Sequence, residues 1–153
     1  MVDTHKNKKA KIPDNTIYEN PKCWEIYMAF IPEQPNGDSH ITSGVRPVIV
    51  NSNRFGNKTS TEVNVYTMTK RKPCLPVHVR LYPDDTNGLR FDSTVLIEQP
   101  STISKRFLLK KLGSVDNMID RYKLQQAVML QNGFFSEIGE NVCKSQGKRI
   151  KLS

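Results

Sequence analysis

The chain has 153 residues, of which 37% are hydrophobic and 25% are charged, a balance typical of one globular domain rather than a disordered or membrane-embedded chain. Lys and Arg outnumber Asp and Glu by 23 to 15, which gives a net charge of +8. The excess favours a polyanionic partner, because clustered cations attract phosphates and release their counterions. No stretch approaches the roughly 20 apolar residues of a bilayer span, so we expect no membrane partner.

The cysteines and the motifs narrow the possible chemistry. Cys23, Cys74 and Cys143 are widely spaced and form no C-x-x-C pair, which argues against a disulfide framework and against a zinc site. We therefore predict a cytoplasmic protein without a metal or a cofactor. Phosphate-loop, dinucleotide-binding, H-E-x-x-H and G-x-S-x-G motifs are absent from the sequence, which argues against nucleotide-driven, dinucleotide-dependent and zinc-hydrolytic mechanisms.

The charge distribution and the hydrophobic pattern divide the chain into three parts. Residues 1–20 are polar and basic without a period, so we predict a flexible or loosely docked arm. Residues 21–142 form the predicted domain, and residues 143–153 form a basic tail. Terminal charge runs are more often mobile ends than binding sites.

Within the domain, apolar and β-branched runs alternate with turn residues. A long polar loop, whose length invites a functional explanation, follows the first run and ends near Gly44. Short strands separated by turns predict a mainly β protein, a small barrel. The predicted strands cover residues 23–31, 46–50, 62–69, 76–82 and 94–98.

The end of the chain has a different pattern. We expect one or two helical turns over residues 101–108, a short extended piece over 110–113, and a helix from Ser114 to about Asn132 that stops at Gly133. The helical spacing predicts that one apolar face belongs to the core. That face carries Val115, Met118, Ile119, Tyr122 and Met129.

Candidate functional side chains lie where predicted strands begin or end. Arg46 opens a strand after Gly44, where its guanidinium could clamp a phosphate. Thr69 ends a strand, where a hydroxyl could hold a phosphate oxygen while the adjacent Lys70, Arg71 and Lys72 guide a nucleic-acid backbone. Ordinary structural roles are open for both: Arg46 could cover the rim of the barrel, and Thr69 could be a plain strand residue.

Two further candidates could transfer a proton. His40 lies in the long loop, and an imidazole titrates near neutrality, although a lone loop histidine is usually just exposed. Glu98 follows a buried apolar strand, so its carboxylate must reach a rim or find a cationic partner. His78 is another polar residue at a predicted strand edge.

These residues also carry a family resemblance. Five blocks in this order resemble the MazF/PemK toxin family, and the similarity begins near residues 24–27 (WEIY) and extends to the predicted helix. The blocks are residues 44–53 (GVRPVIVNSN), 65–69 (VYTMT), 75–79 (LPVHV), 92–100 (DSTVLIEQP) and 102–103 (TI).

The resemblance implies a fold, partners and a reaction. The implied fold is an SH3-like barrel with a C-terminal helix. The implied partners are a second copy of the chain, single-stranded RNA in a groove on the shared face, and an antitoxin that occupies that groove. The implied reaction is metal-independent cleavage of RNA, in which the ribose 2′-oxygen attacks the adjacent phosphorus and gives 2′,3′-cyclic phosphate and 5′-hydroxyl ends.

The resemblance also implies roles for individual residues. Arg46 matches the family's key arginine, which would stabilise the transition state, and Thr69 matches its key threonine, with Thr67 as the alternative. His40 and Glu98 match positions from which either could serve as the base. RNA contacts are predicted for Lys70, Arg71, Lys72, Ser52 and Gln99.

The chain departs from the family pattern at several positions. Ile41 and Thr42 replace a polar Glu-Gln pair, Ser101 replaces a common arginine, and Leu96 stands where some members place a catalytic arginine. These losses motivate an alternative function, a catalytically weakened module that binds RNA or antitoxin. A third hypothesis is that the chain poisons a DNA topoisomerase, as some relatives with the same barrel do. No motif in the sequence supports it, and a shared fold does not by itself imply a shared function.

Overall fold

A computed structural model describes residues 17–33 and 43–134. Six strands and two helices make up this part of the chain, with a single 3-10 turn between the last two strands. No helix in these two segments is long and apolar enough to cross a membrane. The elements are β1 (Glu25–Ile31), β2 (Gly44–Val50), α1 (Arg54–Thr59), β3 (Glu62–Thr69), β4 (His78–Leu81), β5 (Ser93–Ser104), the turn Lys105–Phe107, β6 (Leu108–Ser114) and α2 (Met118–Gln131).

The strands form one sheet in the order β4-β5-β3-β2-β1-β6. All five neighbouring pairs are antiparallel. Strand β1 therefore pairs on one side with the next strand in the chain and on the other side with the last one. The predicted mainly β fold with a C-terminal helix is confirmed.

Strict alternation along the strands gives the sheet two apolar faces. On β1, Ile26 belongs to one core cluster and Tyr27 to the other, and β3 divides Tyr66 and Val65 in the same way. Successive side chains of a strand point to opposite faces, so a sheet covered on both faces buries both sets. Helix α2 covers one of these faces and contacts β4 and β5.

The observed structure differs from the predicted one in residues 101–104 and in the segment after β2. Residues 101–104, predicted as helical, continue β5, and only Lys105–Phe107 forms a 3-10 turn. Pairing with β3 explains the extension, since Ser101 to Ser104 lie opposite Val65 to Glu62. The turn-rich region after β2 contains the six-residue helix α1, whose N-cap is Asn53.

The predicted apolar face of the last helix is right at Val115, which is buried in the core, and wrong at Met118, Ile119 and Tyr122. Asn117, not Ser114, caps α2, and its side chain accepts hydrogen bonds from the amides of the first turn. Leu124 and Ala127 are the buried helical residues, whereas Met118, Ile119 and Tyr122 are 62% to 75% exposed. Only the later turns of α2 therefore lie over the sheet, and its first turn extends beyond the core.

A tight turn packs against strand β6. Asp84 accepts hydrogen bonds from the Thr86 and Asn87 amides, and these bonds lower the pKa of its carboxyl group. Gly88 has φ +66°, and a Cβ there would lie 2.0 Å from the Leu112 carbonyl oxygen. A Cβ on Gly113 would lie 2.1 Å from the Thr86 carbonyl oxygen. Glycine at both positions lets the turn and β6 approach backbone to backbone.

Glu25 joins β1, β6 and the preceding segment. Its carboxylate accepts hydrogen bonds from the Tyr27 hydroxyl (2.6 Å), the Lys22 amide (2.9 Å) and Lys111 Nζ (2.8 Å). Burial alone would raise the pKa of Glu25, but the bonds from Lys111, Lys22 and Tyr27 outweigh burial, and the pKa is lowered. The ring of Tyr18 stacks edge-on against Tyr27, so the segment before β1 docks on the same site.

We expect Glu25→Gln to lower the free energy of unfolding by about 1–2 kcal/mol at pH 7, because a neutral amide loses the charge-assisted bonds. A lowered carboxyl pKa contributes stability above the unfolded-state value, about 4.3, and this contribution disappears as the pH falls through the folded-state value. The difference from wild type should therefore shrink at acid pH. Urea denaturation at pH 7 and pH 3 measures it, with the exposed Glu62→Gln as control. An equal difference at both pH values would contradict the assignment.

Candidate active site

An open cavity of about 670 Å³ lies where several elements converge. Met28, Pro47, Met68 and Leu112 give it an apolar floor. Its polar wall comes from the start of β2, the end of β3, the segment before β5, and β6. The residues of that wall are Ser43, Arg46, Thr69, Lys70, Arg71, Arg90, Ser93 and Lys110.

Arg46 is the third residue of β2, and its side chain lines the cavity. Gly44, which opens the strand, has φ +92°. Its Nε donates a hydrogen bond to the Ser43 carbonyl oxygen at 2.9 Å. Among the described residues, the guanidinium makes only this hydrogen bond. Its two terminal nitrogens therefore have no hydrogen-bond partner in the described part of the chain. A guanidinium fixed through Nε presents those nitrogens as a planar fork that suits a phosphate.

Thr69 and Arg46 line the same cavity from neighbouring strands. Strands β2 and β3 pair from Val50 opposite Val65 to Val48 opposite Thr67, and Arg46 and Thr69 each lie two residues beyond that last pair. The Thr69 hydroxyl accepts a hydrogen bond from the Arg71 amide at 3.2 Å, and its proton can still be donated. Thr67, the alternative, is 1% exposed, and its hydroxyl has no hydrogen-bond partner among the described residues.

Four cationic side chains surround the pair. Lys70 and Arg71 follow Thr69 directly, Arg90 precedes β5, and Lys110 lies on β6; all four line the cavity and are exposed. No carboxylate lines the cavity within the described residues. Like charges on one concave surface repel one another and together attract a polyanion.

Glu98 lies away from the cavity. Its Oε1 is 2.7 Å from His78 Nε2, and His78 Nδ1 accepts a hydrogen bond from the Leu75 amide at 3.2 Å. The accepting Nδ1 carries no proton, so Nε2 carries it and donates to Glu98. His78 is therefore the partner of Oε1, whereas Oε2 is buried with no hydrogen-bond partner among the described residues. The catalytic role predicted for Glu98 stays a prediction.

The remaining predicted residues fall into two groups. Ser52, Lys72 and Gln99 are not among the residues that line the cavity. Ser52 lies beyond the far end of β2, where its hydroxyl accepts a bond from the Asn64 amide at 3.1 Å. His40, with Ile41 and Thr42 after it, lies outside the described residues.

The cavity also contains residues that sequence reasoning missed. Arg90, Phe91 and Lys110 were not predicted as site residues, yet each lines the cavity beside the predicted pair. A signal existed for two of them, because Arg90 and Phe91 form a basic-aromatic pair between a strong turn and a buried strand. Lys110 gave no such signal, since only the pairing of β6 with β1 brings it to the site.

This combination defines a class: a small antiparallel β protein with one terminal helix and a basic cavity. The sequence model of the family described as "PemK-like, MazF-like toxin of type II toxin-antitoxin system" matches residues 22–130. The chain therefore belongs to the PemK-like, MazF-like toxin family.

Individual relatives agree with this membership. The Endoribonuclease EndoA of Bacillus subtilis (strain 168) is 38% identical over 81 residues, which cover 51% of this chain and 69% of the relative. Two solved structures share the fold. MazF from Deinococcus radiodurans has a TM-score of 0.60 at 19% identity and covers 74% of this chain and 97% of its own. An endoribonuclease in complex with its cognate antitoxin, from a mycobacterial species, has a TM-score of 0.59 at 21% identity, with coverage of 75% and 97%.

Proposed function

We propose that this toxin endoribonuclease cleaves single-stranded RNA in the cytoplasm without a metal ion, by attack of a ribose 2′-hydroxyl on the adjacent phosphorus. The observation that carries the proposal is the position of Arg46 and Thr69, on adjacent strands, in one basic cavity. The reaction requires the 2′-hydroxyl, so DNA is not a substrate.

Each side chain has a defined task in this scheme. The 2′-oxygen forms a bond to phosphorus, the bond from phosphorus to the 5′-oxygen breaks, and the products carry a 2′,3′-cyclic phosphate and a 5′-hydroxyl. Arg46 donates to the two non-bridging oxygens, where negative charge increases in the transition state. Thr69 donates its hydroxyl proton to one of them and fixes the phosphate in line with the attacking oxygen.

Two protons must also move. One leaves the 2′-hydroxyl as it attacks, and one reaches the 5′-oxygen as it departs. His40 and Glu98 are the proposed bases for the proton of the 2′-hydroxyl, and Arg46 is the proposed donor to the departing 5′-oxygen. His40 is the better candidate of the two, because Glu98 accepts the bond from His78 and does not line the cavity.

We extend the proposal to two macromolecular partners. One is a cognate antitoxin, as in the mycobacterial complex, and an antitoxin segment that bound the cavity would compete with RNA for the same cations. The other is a second copy of the chain, as the family resemblance implies.

The decisive experiment is cleavage of a long single-stranded RNA in excess chelator, followed by chemical mapping of the product ends. Cyclic phosphate and 5′-hydroxyl ends are expected. Intact RNA with stoichiometric protein would refute the proposal, and salt-sensitive RNA binding without cleavage would favour the weakened binding module.

A substitution at Thr69 tests the threonine separately. We expect Thr69→Val to lower kcat/KM about 10-fold to 100-fold, because it removes one hydrogen bond to a charged phosphate. Thr69→Ser keeps the hydroxyl and should retain most of the activity. Thr67→Val is the matched control in the same strand. Equal activity of Thr69→Val and wild type would exclude the threonine from the reaction.

A further inference from the structure

Phe91 is an exposed aromatic residue inside the basic cavity. Its ring is 55% exposed to solvent, and Lys70 Nζ lies 3.8 Å from the ring centroid, so an ammonium covers one face of the ring. Exposed Phe is unfavourable in water, and a ligand that covers it gains apolar burial. Neither the mechanism above nor the family motifs assign this residue a role.

The backbone on either side of Phe91 is fixed. Leu89 is buried, and its amide donates to Asn87 Oδ1 at 3.0 Å. Ser93 is buried as well, and its hydroxyl donates to the Phe91 carbonyl oxygen at 3.0 Å. These contacts hold the backbone of the segment while the ring projects into the cavity. A ring held in this way loses little conformational freedom when it binds a flat ligand.

The surroundings of the ring indicate the chemistry of that ligand. A π surface beside Lys70, Arg71 and Arg90 combines one stacking platform with cations for the adjoining phosphates. Proteins that bind single-stranded nucleic acid use this combination, since every base has a π face and every nucleotide has a phosphate. We propose that Phe91 stacks against a nucleobase of the RNA next to the phosphate held by Arg46 and Thr69.

This inference rests on the proposed ribonuclease function and adds to it a base-binding subsite. Lys70 covers one face of the ring and neutralises the phosphate of the stacked nucleotide, while the opposite face takes the base. Phe91 has no hydrogen-bonding group, so the subsite accepts any base and contributes affinity rather than a sequence code. Because the contact is the same in the ground state and in the transition state, its loss should raise KM and leave kcat nearly unchanged.

The test compares Phe91→Ala with variants that separate apolar bulk from a π face. Phe91→Leu keeps the apolar bulk, and Phe91→Trp keeps a stacking surface. Phe55→Ala is the matched control, because Phe55 is also exposed (69%), also lies beside a cation, Arg54, at 4.9 Å, and does not line the cavity. The probe is a labelled RNA oligonucleotide that spans a mapped cleavage site and carries a 2′-deoxy substitution at the attacking ribose.

We expect Phe91→Ala and Phe91→Leu to weaken binding of this probe about 10-fold to 100-fold, with Phe91→Trp and Phe55→Ala near wild type. An abasic nucleotide at one position beside the cleavage site should weaken RNA binding by wild type to the level of Phe91→Ala. The same abasic probe should leave RNA binding by Phe91→Ala unchanged. If wild type binds and cleaves RNA and Phe91→Ala does so equally well, the base-binding subsite is refuted while the proposed function stands. The same holds if no abasic position removes the difference in RNA affinity between wild type and Phe91→Ala. If wild type neither binds nor cleaves RNA, the proposed function fails, and the subsite fails with it.

Discussion

Arg46→Ala should abolish most of the ribonuclease activity, with a fall in kcat of about 100-fold to 1000-fold. The guanidinium lines the same cavity as Thr69, and the Ser43 carbonyl oxygen already fixes its orientation through Nε. A donor oriented before the reaction stabilises the new negative charge on the non-bridging oxygens without further rearrangement. Arg46→Lys keeps the positive charge but loses the planar fork, so it should recover only part of the activity.

The assay for Arg46 is single-turnover cleavage in chelator, with Arg106→Ala as the control. Arg106 is an exposed arginine of the 3-10 turn and does not line the cavity. RNA affinity should change less than the cleavage rate, because Arg46 is one of five cations around the site. Cleavage by Arg46→Ala within about threefold of wild type would exclude the arginine from the transition state.

Gly113→Ala should lower the free energy of unfolding by about 2–4 kcal/mol and the melting temperature by about 10 °C. The added Cβ would lie 2.1 Å from the Thr86 carbonyl oxygen and 2.7 Å from the Asn87 carbonyl carbon. Both are backbone atoms, so no side-chain rotation relieves the overlap. The turn must move away from β6, and the bond from the Ser114 amide to the Thr86 carbonyl oxygen (3.0 Å) is strained or lost.

Gly56→Ala is the matched control for Gly113→Ala. Gly56 lies inside α1, and a Cβ there would meet nothing within 4 Å. Alanine in a helix should therefore stabilise the protein by about 0.5–1 kcal/mol. Thermal unfolding followed by circular dichroism compares the two variants. A melting temperature of Gly113→Ala equal to wild type would mean that the turn can yield, and the backbone contact would not be a constraint.

The strands could be predicted from sequence because their signals are local. Apolar residues at every second position mark the buried side of β4, where Val77, Val79 and Leu81 are buried. β3 has the predicted bounds, Glu62–Thr69. The meeting of Arg46 and Thr69 in one cavity was implied only by the family resemblance, since composition and spacing do not give the pairing of β2 with β3.

Other features depend on contacts between distant parts of the chain. A helical period shows an apolar face but not how far the sheet extends beneath it, and for this reason Met118 and Tyr122 were assigned to the core although they are exposed. The pairing of His78 with Glu98 depends on the register of β4 with β5. Phe91 lies in the site because the turn before it packs against β6. The spacing of apolar residues in the sequence does not predict this contact.

The pairing of β1 with β6 determines at which point of its synthesis the chain can form the complete cavity. Met28 on β1 and Lys110 and Leu112 on β6 are walls of one cavity, yet these strands come from opposite ends of the described chain. Contacts of such long sequence separation form late, because the loop between them must close first. During translation, a chain that has not yet emerged beyond residue 114 lacks one wall of its own site. The architecture therefore completes the cavity only after the whole sheet has been synthesised.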